Sequence, residues 1–277
     1  MDRLDRLRID VPGLEIRVTG RCTSTNALLL SEKLSENSAH PALPILLAAE
    51  EQTAGRGRRG RKWRSAPGAG ATFSILRRMR CAPPALAGLS LAVGVAAVRA
   101  LRALGAIDVA LKWPNDLLAG GKNAGAKLGG ILIQTRVQGP EVVAVVGIGI
   151  NCRRVRALGM QLRRSVAALD DLVQPALERN AVIAAIAREV LAALQAYERS
   201  GLPAFAADWR ALHAHEGQRL RVRLDDGRTV SGVAAGLAPS GALRLRTRSG
   251  TRDVASGRVL ADASRARAAK PSAKAAT

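Results

Sequence analysis

Two apolar runs rich in β-branched residues most constrain the fold of this chain. They occupy residues 130–135 and 142–150 and are separated by the sequence Gln-Gly-Pro-Glu. β-Branched side chains favour strands, and a short Gly-Pro turn between two such runs is typical of a β-hairpin. We therefore expect two antiparallel strands here, with their apolar side chains in the core.

The patterns before residue 214 mix short strands with helices. Strands are predicted at 44–49, 72–76 and 107–113, and helices at 23–34, 84–104, 180–199 and 203–212. Proline is tolerated at the first position of a helix, so Pro84 marks a helix start, and Pro114 ends the strand before it. Residues 52–70 hold five glycines and six cations, which predicts a long loop. Together these elements predict an α+β domain.

A smaller β module is predicted after this domain. Between residues 219 and 224 leucine or valine alternates with arginine, and the turn sequences Asp-Asp-Gly and Pro-Ser-Gly follow. Alternation with a period of two is typical of a strand with one buried face. The last residues contain no large apolar side chain, which is typical of disorder. The expected organisation is a domain at 1–214, a β module at 215–262 and a disordered basic tail at 263–277.

The chain of 277 residues carries 43 Lys and Arg against 22 Asp and Glu, a formal net charge of +21. A basic chain of this kind invites a nucleic-acid-binding hypothesis, because cations that neutralise phosphates release counterions. The cations are spread along the chain, however, and are concentrated only at 56–64 and after Arg265. Apolar residues make up 48%, which excludes a disordered chain. The high charge can therefore come from composition alone.

No membrane span or secretory segment is expected. The longest uncharged apolar run, 85–98, has 14 residues, short of the roughly 18 that a transmembrane helix needs. The charged N-terminus lacks the apolar region of a signal peptide. Cys22, Cys81 and Cys152 are far apart and lack CxxC spacing, so neither a disulfide framework nor a zinc site is expected. These observations predict a cytoplasmic protein.

The segment Gly55–Gly60 matches GxGxxG, the fingerprint of dinucleotide-binding folds. That fingerprint requires a helix to begin at the third glycine, whereas here Pro67, Gly68 and Gly70 forbid one. A Walker A loop is absent as well. What remains is an open loop in which five cations lie next to Trp63, a combination suited to a nucleotide. A solvated segment or a generic RNA-binding loop stays open as an alternative.

Lysine is rare in this chain, yet three of its seven lysines, Lys112, Lys122 and Lys127, fall within sixteen residues. Lys112 ends a predicted strand just ahead of the polar pair Asn115 and Asp116. Lys127 precedes Leu-Gly-Gly, whose glycines allow the backbone to come close to a ligand. Each lysine taken alone is also compatible with an ordinary surface position. Their clustering indicates a site that needs compact ammonium groups.

Five motifs follow one another in a fixed order. They are STN at 24–26, EEQTAGRGRRGRKW at 50–63, LKWPND at 111–116, KLGGIL at 127–132 and VVGIGIN at 145–151. In this order they resemble the biotin protein ligase family, from about residue 23 to residue 151 and more weakly through the β module. The resemblance implies a class II aminoacyl-tRNA synthetase-like catalytic domain of α+β class, a mixed sheet flanked by helices, followed by a C-terminal SH3-like β-barrel.

The resemblance also implies a reaction in two steps. The carboxylate of biotin attacks the α-phosphate of ATP, which enters with Mg²⁺, and gives biotinyl-5′-AMP and pyrophosphate. A lysine of a biotin carboxyl carrier domain then attacks this acyl phosphate. No enzyme nucleophile is required, so positioning and electrostatics carry the catalysis. The implied partner is the carrier protein of acetyl-CoA carboxylase or of another biotin-dependent carboxylase.

Matching positions imply the site residues. Lys127 and Arg58 are the expected catalytic residues. The expected biotin-binding residues are Ser24, Thr25, Asn26, Gln52, Gly55, Arg56, Gly57, Arg58, Lys127 and Gly149. The expected ATP- and adenylate-binding residues are Arg56, Arg58, Arg61, Trp63, Lys112, Asn115, Asp116, Lys127 and Asn151. Gly147 and Gly149 are expected to leave room for the apolar body of biotin. No fixed metal site is expected, and Mg²⁺ should arrive with ATP, near Asp116.

Several features stay open. Residues 1–23 are too short for a helix-turn-helix domain ahead of Ser24, so sequence-specific DNA binding is not expected. Whether the chain forms a homodimer is undecided, as are the residues that contact adenine, for which 165–169 is the nearest resemblance. The alternative functions are a lipoate or octanoyl ligase or transferase of the same fold and, in a different class, a basic nucleic-acid-binding protein. We expect the arginines of the first strand of the β module to orient an acidic carrier domain.

Overall fold

The computed structural model describes residues 2–32, 43–138, 141–155 and 165–260. Contacts between residues divide the chain into two compact units, 1–214 and 215–277. The tail predicted at 263–277 lies outside the described residues. The helix predicted at 23–34 is shorter than expected: it begins at Thr25, after the Ser24 cap, and ends at Leu30. The two units are described separately below.

The first unit contains one mixed sheet of seven strands. The strands are β1 (Glu15–Cys22), β2 (Ile45–Gln52), β3 (Gly70–Met79), β4 (Val109–Lys112), β5 (Asp116–Ala119), β6 (Lys127–Gln138) and β7 (Glu141–Asn151). Their order across the sheet is β1-β2-β3-β7-β6-β5-β4. β1 and β2 are parallel, and the other neighbours are antiparallel. The predicted hairpin is confirmed as β6 and β7, which pair from Gly129 with Ile150 to Gln138 with Glu141.

In the described part of the chain, four α-helices accompany this sheet. They are α1 (Thr25–Leu30), α2 (Leu89–Ala103), α3 (Arg179–Ser200) and α4 (Pro203–Leu212). Gly94 of α2 faces Ile131, whereas Asn26 of α1 reaches Gly147, which pairs with Leu132. Because successive residues of a strand point to opposite faces, α1 and α2 lie on opposite faces of the sheet.

The helix predicted from Pro84 begins later, at Leu89. Residues 83–86 form a short 3-10 helix instead, and Gly88 follows in the left-handed region with φ of 85°. A side chain at Gly88 would collide with Leu202, so the helix start depends on this glycine. By length and composition, Pro83–Ala103 could cross a membrane, although the uncharged run alone is too short. In the fold, α2 lies in the core and packs against α3 and α4.

Two strands of the sheet, β1 and β5, were not predicted. β1 lies at the edge of the sheet and keeps much of its surface exposed, so its sequence Glu-Ile-Arg-Val-Thr-Gly-Arg-Cys has no clear apolar alternation. β5 has only four residues and begins directly after the Trp-Pro-Asn turn that ends β4. Pairing with neighbouring strands stabilises both segments, and this pairing is not visible in local sequence.

The second unit is one antiparallel sheet of five strands. The strands are β8 (Arg219–Arg223), β9 (Thr229–Leu237), β10 (Leu243–Thr247), β11 (Gly250–Val254) and β12 (Arg258–Leu260), in the order β11-β10-β9-β8-β12. Leu220 and Val222 of β8 are buried, while the three arginines of this strand are exposed. The predicted alternation with a period of two is confirmed.

Candidate functional site

The centre of the seven-stranded sheet has an open patch on one face. Gly130 of β6 lies directly opposite Gly149 of β7, and Gly147 lies two residues before Gly149 on the same face. The neighbours across the sheet on this face are Ser74 in β3, opposite Gly147, and Asp116 in β5, opposite Gly130. The register of four strands therefore places small residues at the centre and polar residues on both sides.

Helix α1 begins over this patch with a polar cluster. Ser24 caps the helix, and Thr25 and Asn26 are its first buried residues. The hydroxyl of Thr25 lies 2.6 Å from that of Ser74, which donates to Asn26 Oδ1 at 2.6 Å. Gln52, at the end of β2, accepts hydrogen bonds from Thr25 N at 2.8 Å and from its hydroxyl at 3.1 Å. The start of α1, the end of β2 and Ser74 of β3 thus form a largely buried cluster of hydroxyl and amide groups.

The amide of Asn26 also reaches across the sheet. Its Nδ2 donates to the carbonyl of Leu132 at 3.2 Å and to Gln134 Oε1 at 3.1 Å. A Cβ at Gly147 would lie on Asn26 Oδ1, far inside van der Waals contact. Glycine at 147 is therefore what allows the amide to sit against the strand. Sequence reasoning missed Ser74 and Gln134. Ser74 lies between Phe73 and Ile75, and a polar residue between two large apolar ones is a signal that could have found it. Gln134 is followed by Thr135 and Arg136 and gives no such signal.

Lys127 and Asp116 form an ion pair at the other side of the glycine patch. Their side chains are 16% and 27% exposed. The ammonium also lies 5.9 Å from the ring centroid of Trp63, within range of a cation–π interaction. A Cβ at Gly130 would come within 3.1 Å of Lys127 Nζ, so the absence of a side chain there makes room for the lysine. The pair places one cation and one carboxylate beside the open patch.

Asn151 connects Lys127 to the chain that follows β7. Its Nδ2 donates to the carbonyls of Lys127, at 3.3 Å, and Ala167, at 3.1 Å. Lys127 N donates to Ser165 O at 3.1 Å, and Ala167 N donates to Lys127 O at 3.0 Å. The segment that resembled the adenine side of the site is therefore held next to Lys127, and its contact with adenine stays a prediction.

Lys112 is the last residue of β4, and Asn115 lies in the turn between β4 and β5. Lys112 of β4 lies opposite Asp116 of β5. Asn115 donates through Nδ2 to the carbonyl of Ile131 at 2.7 Å. Because this bond occupies its amide, Asn115 holds the turn after β4 against β6 in the ligand-free chain.

The cations of the arginine-rich loop, residues 53–69, line a cavity of about 960 Å³ formed by residues 52–66 with Leu132, Gln134 and Val155. Within the loop, the backbones of Arg56 and Lys62 form an isolated antiparallel β-bridge. Trp63 N donates a hydrogen bond to Gly55 O at 2.9 Å. A Cβ at Gly55 would lie 2.7 Å from Trp63 O, so this close approach requires glycine. The loop is folded back on itself, and a short 3-10 helix, Arg58–Gly60, ends at Gly60. No helix begins at this third glycine, in agreement with the rejection of a dinucleotide fingerprint.

Trp63 covers the glycine patch. A Cβ at Gly149 would overlap the indole ring, and the indole Nε1 is buried without a hydrogen-bond partner in the described part of the chain. Arg58 is half-buried, while Arg56 and Arg61 are exposed along the cavity. The expected residues Gly57, Arg56, Arg58 and Arg61 thus lie together on the loop, and Trp63 joins them to the Lys127 side.

The cysteines provide no nucleophile to this site. All three are free, and Cys152 is buried, which raises the pKa of its thiol to about 12. Burial also raises the pKa values of Cys22 and Cys81. A thiol acts as a nucleophile only as the thiolate, so none of them is activated at neutral pH. Among the described residues, no group of three or more His, Cys, Asp or Glu side chains is arranged to hold a metal ion.

Comparison with known proteins agrees with this geometry. The Biotin/lipoate A/B protein ligase family matches residues 18–151, and the Biotin protein ligase C terminal domain matches residues 215–260. The biotin--[acetyl-CoA-carboxylase] ligase of Mycobacterium tuberculosis is 35% identical over 250 residues, 89% of this chain and 88% of that protein. The bifunctional ligase/repressor BirA of Escherichia coli is 35% identical over 223 residues, and the match spans 66% of its length.

The fold has a counterpart among solved structures. The biotin protein ligase from Aquifex aeolicus in complex with biotin and ATP superposes with a TM-score of 0.71 at 24% sequence identity, over 89% of this chain and 97% of that one. This likeness concerns the fold, and the sequence matches carry the relationship. The chain belongs to the biotin protein ligase family.

Proposed function

We infer that this chain attaches biotin to a lysine of a biotin carboxyl carrier domain, in an ATP-dependent reaction through biotinyl-5′-AMP. One observation carries the inference. A buried cluster of amides and hydroxyls, a patch without side chains and a lysine follow one another on a single face of the sheet. This order corresponds to the polar head group, the apolar body and the carboxylate of biotin. Family membership supports the same conclusion.

The polar cluster supplies the chemistry for the head group. The ureido ring of biotin is neutral, with one carbonyl acceptor and two N–H donors. Thr25, Asn26, Gln52 and Ser74 offer hydroxyls and amides that donate and accept. A buried site built from such pairs rejects ligands that leave its groups unpaired. The alternative lipoate or octanoate substrate presents no ureido ring, so the polar cluster favours biotin.

The cations explain how two anions can react. The carboxylate of biotin must approach the α-phosphate of ATP, and both are negatively charged. The new C–O–P linkage forms while the bond to the bridging oxygen of pyrophosphate breaks, and pyrophosphate carries the electron pair away. We propose that Lys127, Arg56, Arg58 and Arg61 offset this charge. Lys127 is paired with Asp116, and we propose that a bound anion shares this ammonium with the carboxylate.

The second step needs a nucleophile from the partner. The carrier lysine, as the free amine, attacks the acyl carbon of biotinyl-5′-AMP, the C–O bond to AMP breaks, and a proton leaves the new amide. The raised pKa values of the three cysteines agree with a reaction in which the enzyme forms no covalent intermediate. Positioning by Lys127 and the loop is the contribution of the protein.

Mg²⁺ is proposed to enter with ATP. Magnesium is usually held by one or two carboxylates together with substrate phosphates. Asp116 is a single carboxylate in the site and fits this pattern, and the described residues contain no dedicated carboxylate cage. When bound, the ion would neutralise phosphate charge.

We also propose the finer assignments of the two units. The mixed sheet with helices on both faces supports a class II aminoacyl-tRNA synthetase-like catalytic domain at 1–214. The five short antiparallel strands support an SH3-like β-barrel at 215–262. Free thiols suit the reducing cytoplasm, where we expect the enzyme to act on the carrier of acetyl-CoA carboxylase or of a related carboxylase. We propose that it has no sequence-specific DNA site, and the oligomeric state stays open.

The carrier is proposed to dock on the exposed arginine face of the second unit. Arg258 of β12 pairs with Arg223 of β8, so both lie on one face with Arg219 and Arg221. Arg246 joins this face, since it and Arg219 both lie opposite Val233. None of these arginines forms an ion pair with another described residue. Such a face attracts an acidic protein surface and speeds its association at low salt.

Charge reversal tests the docking face. Arg221→Glu with Arg223→Glu should slow transfer to carrier at low ionic strength and leave pyrophosphate release unchanged. Arg228→Glu is the matched control, because Arg228 is already paired with Asp226. Equal transfer rates in both variants would refute the proposal. If the wild-type chain instead binds DNA tightly, with a steep dependence on salt that is lost when Arg221 and Arg223 are both replaced by Glu, that result would support the nucleic-acid alternative.

Biotin-dependent release of pyrophosphate from ATP tests the main inference. The release should require biotin, should not respond to lipoate or octanoate, and should be lost in Lys127→Ala and Arg58→Ala. Carrier labelling with radioactive biotin completes the assay. A folded wild-type chain that releases no pyrophosphate with biotin would overturn the assignment.

A further inference from the structure

Arg179, the first residue of α3, is a buried cation outside the site described above. Its side chain is 1% exposed. Its two terminal nitrogens bind Glu50 in a bidentate manner, from Nη1 to Oε2 at 2.7 Å and from Nη2 to Oε1 at 3.2 Å. A planar guanidinium matches a carboxylate in this geometry, which lysine cannot reproduce.

The same guanidinium touches both ends of the arginine-rich loop. Glu50 lies in β2, two residues before Gln52, where the loop begins. Arg179 Nη1 also donates to the carbonyl of Gly70 at 3.4 Å, and Gly70 is the first residue of β3, where the loop ends. One side chain therefore connects the strand that enters the loop to the strand that leaves it.

The N-terminal segment covers this connection. Asp2 accepts hydrogen bonds from Arg179 N and from Nε, the latter at 3.3 Å, and its carbonyl accepts from Nη2. Leu4 N donates to Glu50 Oε1 at 2.6 Å. Burial alone would raise the pKa values of Asp2 and Glu50, but their hydrogen bonds and charge interactions with Arg179 bring both below their ordinary values. Both carboxylates are therefore ionised at neutral pH.

We propose that Arg179, held by Glu50 and Asp2, is a positioning residue that fixes the two ends of the arginine-rich loop, so that the loop can close over biotin and ATP. The proposal rests on the proposed function for its kinetic consequence. The loop carries six clustered cations that repel one another, so ordering it over a ligand is costly. Fixed ends restrict the loop before binding and reduce that cost.

A structural role and a positioning role differ in what they change. Arg179 bonds to Asp2, Glu50 and Gly70, and none of these three is among the residues proposed to meet the ligand. Loosening it should therefore raise the KM for biotin and ATP and speed the loss of biotinyl-5′-AMP, while kcat changes little. A general loss of stability would lower the active fraction and reduce kcat without this split.

The test compares Glu50→Gln and Arg179→Lys with the control Arg188→Met. Glu50→Gln keeps the shape of the side chain but removes its charge and replaces one of the two acceptor oxygens with an N–H donor, which breaks the bidentate pairing with Arg179. Arg188 lies on the same helix and binds the N-terminal segment through the Asp10 carbonyl, but it does not reach the loop. The readouts are the kinetics of pyrophosphate release and hydrogen exchange of peptides covering residues 53–69, measured without ligand.

We expect faster exchange of the loop peptides in Glu50→Gln and Arg179→Lys, with a KM for biotin raised about tenfold and kcat within about twofold of wild type. Arg188→Met should match wild type. Unchanged loop exchange in folded Glu50→Gln would overturn the proposal, as would an equal loss of kcat in all three variants. If Arg179→Lys does not fold, Glu50→Gln still decides. Loop exchange needs no biotin, so failure of the proposed function would show separately, as absence of biotin-dependent pyrophosphate release in wild type.

Discussion

Gly147→Ala is the sharpest perturbation of the candidate site. The new Cβ would lie on Asn26 Oδ1, with Asn26 Cγ at 2.8 Å, so the amide must move. Asn26 is buried and belongs to the polar cluster at the start of α1. Gly20→Ala is a matched control, because Gly20 also lies in a strand and nothing lies within 4 Å of its Cβ position.

The expected cost follows from the bonds that the displaced amide loses. Asn26 accepts from Ser74 and donates to Leu132 O and Gln134. At roughly 1 kcal/mol for each of these hydrogen bonds, unfolding should become easier by about 3 kcal/mol, within the range for overpacked cores. Displacement also removes an amide from the head-group pocket. One lost hydrogen bond of about 1.4 kcal/mol corresponds to a KM for biotin raised about tenfold.

Urea unfolding and biotin-dependent pyrophosphate release at saturating ATP measure the two effects. In an Asn26→Ala background there is no amide to displace, so Gly147→Ala should then cost about 1 kcal/mol or less. The reasoning is refuted if Gly147→Ala and Gly20→Ala give the same unfolding free energy and the same KM for biotin. It is also refuted if the two substitutions at 147 and 26 are additive.

Three further predictions concern other parts of the first unit. Lys127→Met, combined with Asp116→Asn so that no unpaired carboxylate is left behind, should reduce the rate of pyrophosphate release by about 10²-fold or more while the chain stays folded. Activity near wild type in this double variant would remove Lys127 from the mechanism. Biotin should displace the Trp63 indole from Gly149 and change the tryptophan fluorescence, and a Trp63→Phe variant that keeps the full signal would contradict this. Burial lowers the pKa of His213, stacked on Trp209 at 4.3 Å, from 6.5 to about 4. As the pH falls, His213 therefore binds a proton in the unfolded chain before it does so in the folded chain. The contribution of His213 to the free energy of unfolding is largest above pH 6.5, and this free energy should fall by about 2 kcal/mol between pH 7 and pH 5. Urea unfolding of His213→Phe should lack this loss, and an identical pH profile would contradict the assignment.

Local sequence was sufficient for elements with strong periodicity. The helices predicted at 180–199 and 203–212 are observed as Arg179–Ser200 and Pro203–Leu212. Amphipathic spacing over several turns decides such elements, since one apolar face must be buried. The hairpin of β6 and β7 could be predicted because its two β-branched runs are separated by only a few residues that include Gly-Pro.

Elements that depend on distant partners were missed or shifted. β1 is held by pairing with β2, and β5 by pairing with β4 and β6. The start of α2 at Leu89 depends on Gly88, whose missing side chain makes room for Leu202, the residue just before α4. The pairing of these strands and the contact of Gly88 with Leu202 join residues that are distant in sequence, so the neighbouring residues alone cannot predict them.

The sequence by itself determined the family, because five motifs in a fixed order are specific even when each is weak. It also determined most of the residues that line the candidate site, including Asn26 and Lys127. Only the tertiary structure decided that Ser74 completes the polar cluster at the start of α1 and that Arg179 joins both ends of the loop. Those contacts bridge 48 and 109 residues of sequence. They depend on strand register, since a slip of one residue would turn Gly147 to the opposite face of the sheet.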